Sequence, residues 1–145
     1  MKGDAANGEI VYGRVTVGCA NCHQANGKGI DFGPNLSAIG AKLGKDALYE
    51  AILDPSAGIS FGFEAWTLQL KSGDDAYGLI VSETGDELAV KAIGGIVTRY
   101  KKSDIKERQQ SRLSIMPAGL QLAMTTQELV DLVEYLAALK APAPK

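Results

Sequence analysis

The sequence predicts a mainly α domain with an antiparallel β-meander set into it. Two early stretches and one at the end of the chain carry capping residues and apolar residues at helical spacing, whereas residues 65–100 alternate with a period of two. A third observation is local. Both cysteines and the single histidine fall within five positions, inside "GCANCHQANGKG" (Gly18 to Gly29).

Taken in chain order, Asp4 is placed to cap a helix through "AANGEIVYGRV", where Ile10 and Val11 lead into the cysteine segment. A second helix is expected over "KDALYEAIL", with Leu48, Ile52 and Leu53 on one side and Asp54-Pro55 as its stop. Trp66, Leu68 and Leu70 then alternate with Thr67, Gln69 and Lys71, which reads as strand. The runs "AYGLIVSE", "ELAVKAI" and "IVTRY" follow, separated by "TGD" and "GG", both suited to hairpin turns. We therefore expect a four-stranded meander and, after it, a short helix in "SDIKERQQ". Thr125 with Glu128 makes a capping box, and Leu129, Leu132, Val133 and Leu136 recur at helical spacing beyond it. One domain over residues 1–140 is expected, with 66–103 as a β-rich insertion and the extended "APAPK" (141–145) as a disordered tail or linker. No unit recurs at fixed period, which excludes a propeller or solenoid.

Composition narrows the function classes. With 145 residues, 46% of them hydrophobic, the chain fits one domain with a real core. Fifteen basic and 17 acidic residues leave a net charge of -2, so no global field attracts nucleic acid or an acidic membrane. "LVDLVEYLAAL" is broken by Asp131 and Glu134 and falls short of the roughly 20 apolar residues a bilayer span needs, so no membrane span is expected. No Ser-His-Asp set or phosphate-cradling loop points to hydrolysis or phosphoryl transfer.

Three chemistries compete for Cys19-x-x-Cys22: structural zinc, a redox dithiol and covalent haem attachment. Zinc needs four protein ligands, and beyond Cys19, Cys22 and His23 the chain has no further cysteine or histidine. A redox dithiol belongs at the start of a helix after a strand; here a helix precedes the pair, although the β-branched "VTV" at 15–17 keeps that alternative open. Two merely structural cysteines leave unexplained why the only histidine follows Cys22 directly. Haem attachment accounts for all three residues, each thiol forming a thioether to a porphyrin vinyl group and His23 reaching the iron from the same side.

With Cys19-Ala20-Asn21-Cys22-His23, Gly27, Gly29, Gly33-Pro34-Asn35-Leu36 and a late Met116-Pro117, the chain resembles the class I cytochromes c. The resemblance implies three core helices round one covalent haem c, a Pro34 carbonyl accepting a hydrogen bond from His23, and Leu36 packed on the haem. A ligating histidine generally has such an acceptor behind it. No second histidine exists for the sixth position, and Met1 is a frayed start. Met116 is held extended by Pro117, while Met124 has an ordinary role as a staple against Leu129. Met116 is the expected ligand, with Met124 or an open iron as the alternatives.

A narrower resemblance is carried by "LDPSAGISFGFEAWTLQLKSGDDAYGLIVSETGDELAVKAIGG" and "DIKERQQSRLSIMPAGL", which are similar to the planctomycete-type haem-binding-domain cytochromes. Ser111, Ser114, Met116, Pro117, Gly119 and Leu120 match their Ser-x-x-Ser-x-Met-Pro-x-Gly-Leu pattern, and "SGDD" stands where they usually have Asp-Gly. Phe61, Phe63 and Trp66 are expected in a core that includes the haem rim. The basic excess of Arg99, Lys101, Lys102, Lys106, Arg108 and Arg112 reads as a solvated face; pairing of Arg112 with haem propionates, or steering of an acidic partner, are the sharper alternatives.

These residues imply a non-enzymatic carrier of single electrons, exchanging them with a redox partner protein or a fused dehydrogenase domain. Two alternatives belong to other classes: a gas-sensing domain with a displaceable sixth position, and a docking module that offers a strand edge to a dehydrogenase or a second copy. Thioether attachment belongs to the exported side of the bacterial membrane. A periplasmic or otherwise extracytoplasmic protein is therefore expected, its leader lying outside "MKGDAANGE".

Overall fold

The protein is described by a computed structural model over residues 1–140; the tail expected at 141–145 lies outside the described residues. Helix α1 (Ala5–Gly13) starts where Asp4 accepts hydrogen bonds from the Ala6 and Asn7 amides at 3.0 and 3.3 Å, satisfying two of the donors a helix start leaves free. Two single-turn helices follow, α2 (Cys19–Cys22) and α3 (Ile39–Lys42). Helix α4 (Lys45–Leu53) ends at Asp54, as the following proline requires. Helix α5 (Thr126–Ala138) carries the reciprocal box, Glu128 N–H on Thr125 Oγ1 at 3.1 Å and Thr125 N–H on Glu128 Oε1 at 2.8 Å.

These helices bury Val11, Tyr12, Val17, Leu48, Ile52, Leu132, Val133 and Leu136 in one cluster. Helix α1 crosses α5 with Gly8 directly on the α5 backbone, where an added Cβ would lie 1.9 Å from the Asp131 carbonyl oxygen. Asp131 itself is buried at the crossing. Its carboxylate is satisfied by Asn7 Nδ2 at 2.7 Å, the Asp4 amide at 2.8 Å and Gln127 Nε2 at 2.7 Å.

Between α4 and α5 lies an antiparallel sheet of strands β1 (Ala65–Leu70), β2 (Asp75–Glu83), β3 (Glu87–Ala92), β4 (Ile96–Lys101) and β5 (Ile105–Gln110), in the order β4-β3-β2-β1-β5. Leu68, Ala76, Leu88 and Val90 form a second buried cluster on it, flanked by Leu70, Ile80, Tyr100 and Ile105. Register pairs Trp66 with Gly78 on one side and Gln110 on the other.

Two expectations are corrected. The fold is not mainly α: the described residues are 33% helix and 25% strand, with only three helices of seven residues or more among them. Second, "IKERQQ" is strand β5 and not a short helix, the preceding Lys102–Asp104 being a single 3-10 turn. The reason is the same for both. Strand β1 would otherwise leave one edge of backbone donors and acceptors unpaired, and residues 105–110 return along it to satisfy them.

Candidate cofactor site

The site begins at Gly18, whose φ of 89° suits glycine and starts α2 immediately after the turn through Val15–Val17. Cys19 and Cys22 stand three apart on this one turn, so their side chains share a face. His23 ends the helix in extended conformation, its amide bonded to the Cys19 carbonyl at 2.9 Å.

The next dozen residues wrap back over that turn. Ala25 and Lys28 exchange hydrogen bonds at 2.9 and 3.0 Å around Asn26 and Gly27, both in the left-handed region. Ile30 N–H then donates to the Ala20 carbonyl at 2.9 Å, and Gly33 N–H to the Cys22 carbonyl at 2.6 Å. Glycine is required twice here: a Cβ on Gly29, with φ of 108°, would lie 2.0 Å from the His23 carbonyl oxygen, and one on Gly33 would lie 2.8 Å from His23 Cε1. The loop is therefore packed directly against the imidazole.

Its last member fixes the ring. His23 Nδ1 lies 2.7 Å from the Pro34 carbonyl oxygen. That oxygen can only accept, so Nδ1 carries the proton and the lone pair of the neutral ring resides on Nε2. Burial lowers the His23 pKa, against the Pro34 hydrogen bond, which raises it. From behind, buried Tyr12 donates its hydroxyl to the His23 carbonyl at 2.6 Å.

The thiols are unpaired with each other. Burial pushes the Cys19 thiol up to about 11, with a smaller contribution from Cys22, and burial also raises Cys22. A reactive dithiol needs the opposite shift, and "VTV" forms a turn where that alternative needs a strand. Among the described residues no group of three or more His, Cys, Asp or Glu is arranged to hold a metal ion. Two same-face thiols beside a neutral imidazole with Nε2 free to coordinate fit covalent attachment of a haem: the donor set is complete on one side, and the glycine loop packs against the Nδ1 side of the ring.

Met116 is half-buried against the helical cluster, as are Cys19, Leu36 and Met124. Its backbone is tethered: Met116 N–H donates to Ser114 Oγ at 3.1 Å, and Ser114 N–H donates to Ser56 Oγ at 3.0 Å. Pro117 is exposed, and Leu120 is half-buried at the start of a 3-10 turn reaching Ala123. The remaining pocket candidates fall outside the helical cluster. Phe63 and Trp66 are half-buried but belong to neither cluster, and Phe61, expected in the core, is 97% exposed. The Arg108 guanidinium sits 5.4 Å from the Trp66 ring centre. Exposed Arg112 lines an open groove of about 520 Å³ with Ile59, Glu64, Gln110 and Ser111.

The basic excess is partly neutralised across the sheet, Lys102 and Arg108 both pairing with Glu83 at 2.8 and 3.0 Å and Arg99 with Glu87 at 3.9 Å. Reading the sequence missed Tyr12 and Ser56. Neither has a local signal, since their partners are 11 and 58 positions away.

Residues 5–74 match a family model described as Cytochrome c. The match runs from α1 through β1 and includes Cys19, Cys22, His23 and Pro34, and it suggests a haem c electron-transfer protein. No curated protein matches the chain. No helix among the described residues is long and apolar enough to cross a membrane.

Proposed function

We propose that the chain is a monohaem cytochrome c that carries single electrons, with Cys19 and Cys22 as covalent attachment points and His23 and Met116 as axial ligands. Pro34, Leu36, Phe63, Trp66, Arg112, Pro117 and Leu120 complete the pocket in this reading, within one domain over 1–140 whose sheet is an insertion. When bound, a haem c supplies a one-electron ferric/ferrous couple. The chain's residues do the rest. Cys19 and Cys22 hold the group permanently, and the Pro34 carbonyl fixes the tautomer and plane of the imidazole so that Nε2 is the ligating atom. Met116, on a loop tethered through Ser114 to Ser56, would be the second residue to hold the iron, and its thioether would favour the reduced state.

The observation that carries this reading is the 2.7 Å contact from His23 Nδ1 to the Pro34 carbonyl oxygen, directly after two thiols on one helical turn. The family match over residues 5–74 supports it from a separate direction. Thioether formation places the protein outside the cytoplasm, in the periplasm, and its partners are then a redox protein or a fused dehydrogenase domain. Intact-mass measurement after expression with a haem-attachment system tests this. One haem retained through acid-acetone extraction, and lost in the Cys19→Ala/Cys22→Ala double variant, is expected; an unmodified mass refutes it.

A further inference from the structure

Strand β3 carries a lysine whose side chain is largely withdrawn from solvent. The Lys91 side chain is 17% exposed, and Nζ donates to the Asp31 carbonyl at 3.0 Å and stands 3.6 Å from the Asp31 carboxylate. The tip of the β3–β4 hairpin bears on the same peptide. Gly95, with φ of 83°, is placed so that a Cβ there would lie 3.3 Å from the Asp31 carbonyl oxygen and 3.4 Å from Ile30 Cγ2. Two separate positions on the hairpin therefore converge on one point in the loop that follows His23.

That point is two residues before Gly33 and three before Pro34, the groups that set the imidazole. Ile30, before Asp31, is bonded to the Ala20 carbonyl, and Phe32 and Gly33, after it, to the Cys22 carbonyl at 3.3 and 2.6 Å. Gly33 abuts the ring, and the Pro34 carbonyl accepts the hydrogen bond from Nδ1–H. Three glycines, at 27, 29 and 33, lower the intrinsic stiffness of this loop; its own ties run to α2, and Lys91 and Gly95 add contacts from outside it.

We propose that Lys91 is a positioning residue for His23: by holding the Asp31 carbonyl it latches the sheet to the proximal loop, and so fixes the hydrogen bond between Pro34 and Nδ1. The sheet then braces the ring that ligates iron, a role that rests on the function proposed above. A lysine serves because its flexible stem crosses from β3 to the loop and its ammonium group meets a carbonyl and a carboxylate together. Loss of the latch leaves α2 and its thiols in place but releases the acceptor behind the ring, and ligand basicity follows that acceptor.

The test uses haem-loaded protein, with the exchange rate of the His23 Nδ1 proton by NMR and the reduction potential as readouts. Lys91→Met is expected to speed that exchange about tenfold, as loss of one hydrogen bond allows, and to shift the potential, with both thioethers intact. Lys91→Arg should restore both, and Gly95→Ala should move both the same way, which keeps the test open should Lys91→Met fold poorly. Lys106→Met, on the exposed β5, is the charge-matched control. Exchange and potential in Lys91→Met and Gly95→Ala equal to those of Lys106→Met overturn the proposal. A parent protein whose intact mass shows no haem overturns the functional reading instead, and the proposed role with it, before any variant is compared.

Discussion

Replacing Gly8 by alanine should be among the most damaging single-atom additions in the molecule. The new Cβ would lie 1.9 Å from the Asp131 carbonyl oxygen, 2.6 Å from its carbon and 2.7 Å from Tyr135 Cβ, whereas ordinary contact begins at 3.4 Å. Two of those three atoms are backbone, so no rotamer change relieves them and α1 must move away from α5 by about 1.5 Å. The movement opens the cluster holding Val11, Tyr12, Leu132, Val133 and Leu136. Overpacking of this kind costs about 1–3 kcal/mol and occasionally more, and the better helix propensity of alanine returns up to about 1 kcal/mol. With rigid atoms on both sides the upper end applies, and we expect a net loss of about 2 kcal/mol, a fall in Tm of about 4–8 °C for a domain of this size. Gly13→Ala is the matched control, because nothing lies within 4 Å of its Cβ at the other end of the same helix. Thermal unfolding followed by circular dichroism reads both. If Gly8→Ala unfolds no earlier than Gly13→Ala, the close crossing of α1 and α5 is wrong.

Three further outcomes follow from the geometry. Hydrogen bonds from Asn7, the Asp4 amide and Gln127 hold the Asp131 carboxyl below its ordinary value of 3.8, so its contribution to stability is present above that pH and lost as pH falls through the lower folded value. An acid titration of Tm should steepen below about pH 4 in the parent, and Asp131→Asn should flatten that limb; equal slopes would contradict the assignment. Tyr12→Phe leaves the His23 carbonyl without its 2.6 Å partner and should cost about 1–2 kcal/mol in urea unfolding, with the m-value unchanged. Ser56→Ala removes the acceptor for Ser114 N–H and loosens the Met116 loop, so carbon monoxide should bind the ferrous protein faster than in the parent by stopped flow; an unchanged rate would remove Ser56 from the distal tether.

The helical frame was legible because its signals are local. Asp4, Asp54-Pro55 and the Thr125–Glu128 box each act within four residues, and each ends or starts a helix where expected. Strands β1 to β4 were legible for a similar reason, since alternation and the turns at "TGD" (84–86) and "GG" (94–95) mark them without reference to a partner. Strand β5 was not. Lys106, Glu107, Arg108, Gln109 and Gln110 are good helix formers with no alternation, and what makes them a strand is the open edge of β1, some 40 positions away. That strand carries Arg108 onto Trp66, a stack invisible in the linear order. At the site, the grouping of Cys19, Cys22 and His23 is local in sequence, and the 2.7 Å contact from His23 to the Pro34 carbonyl was anticipated by resemblance alone. Lys91 was not, because its partner Asp31 lies 60 positions away in a loop with no lysine-specific pattern.

The measurement that bears most directly on the central reading is the absorption spectrum of ferric and ferrous protein, with carbon monoxide added to the ferrous form, in the parent and in Met116→Ala. A closed His23–Met116 electron carrier predicts a low-spin spectrum with the weak red sulfur-to-iron band, unmoved by carbon monoxide in the parent and losing that band in the variant. A high-spin parent, or one that takes up carbon monoxide rapidly, would contradict it and make the site a ligand-binding one.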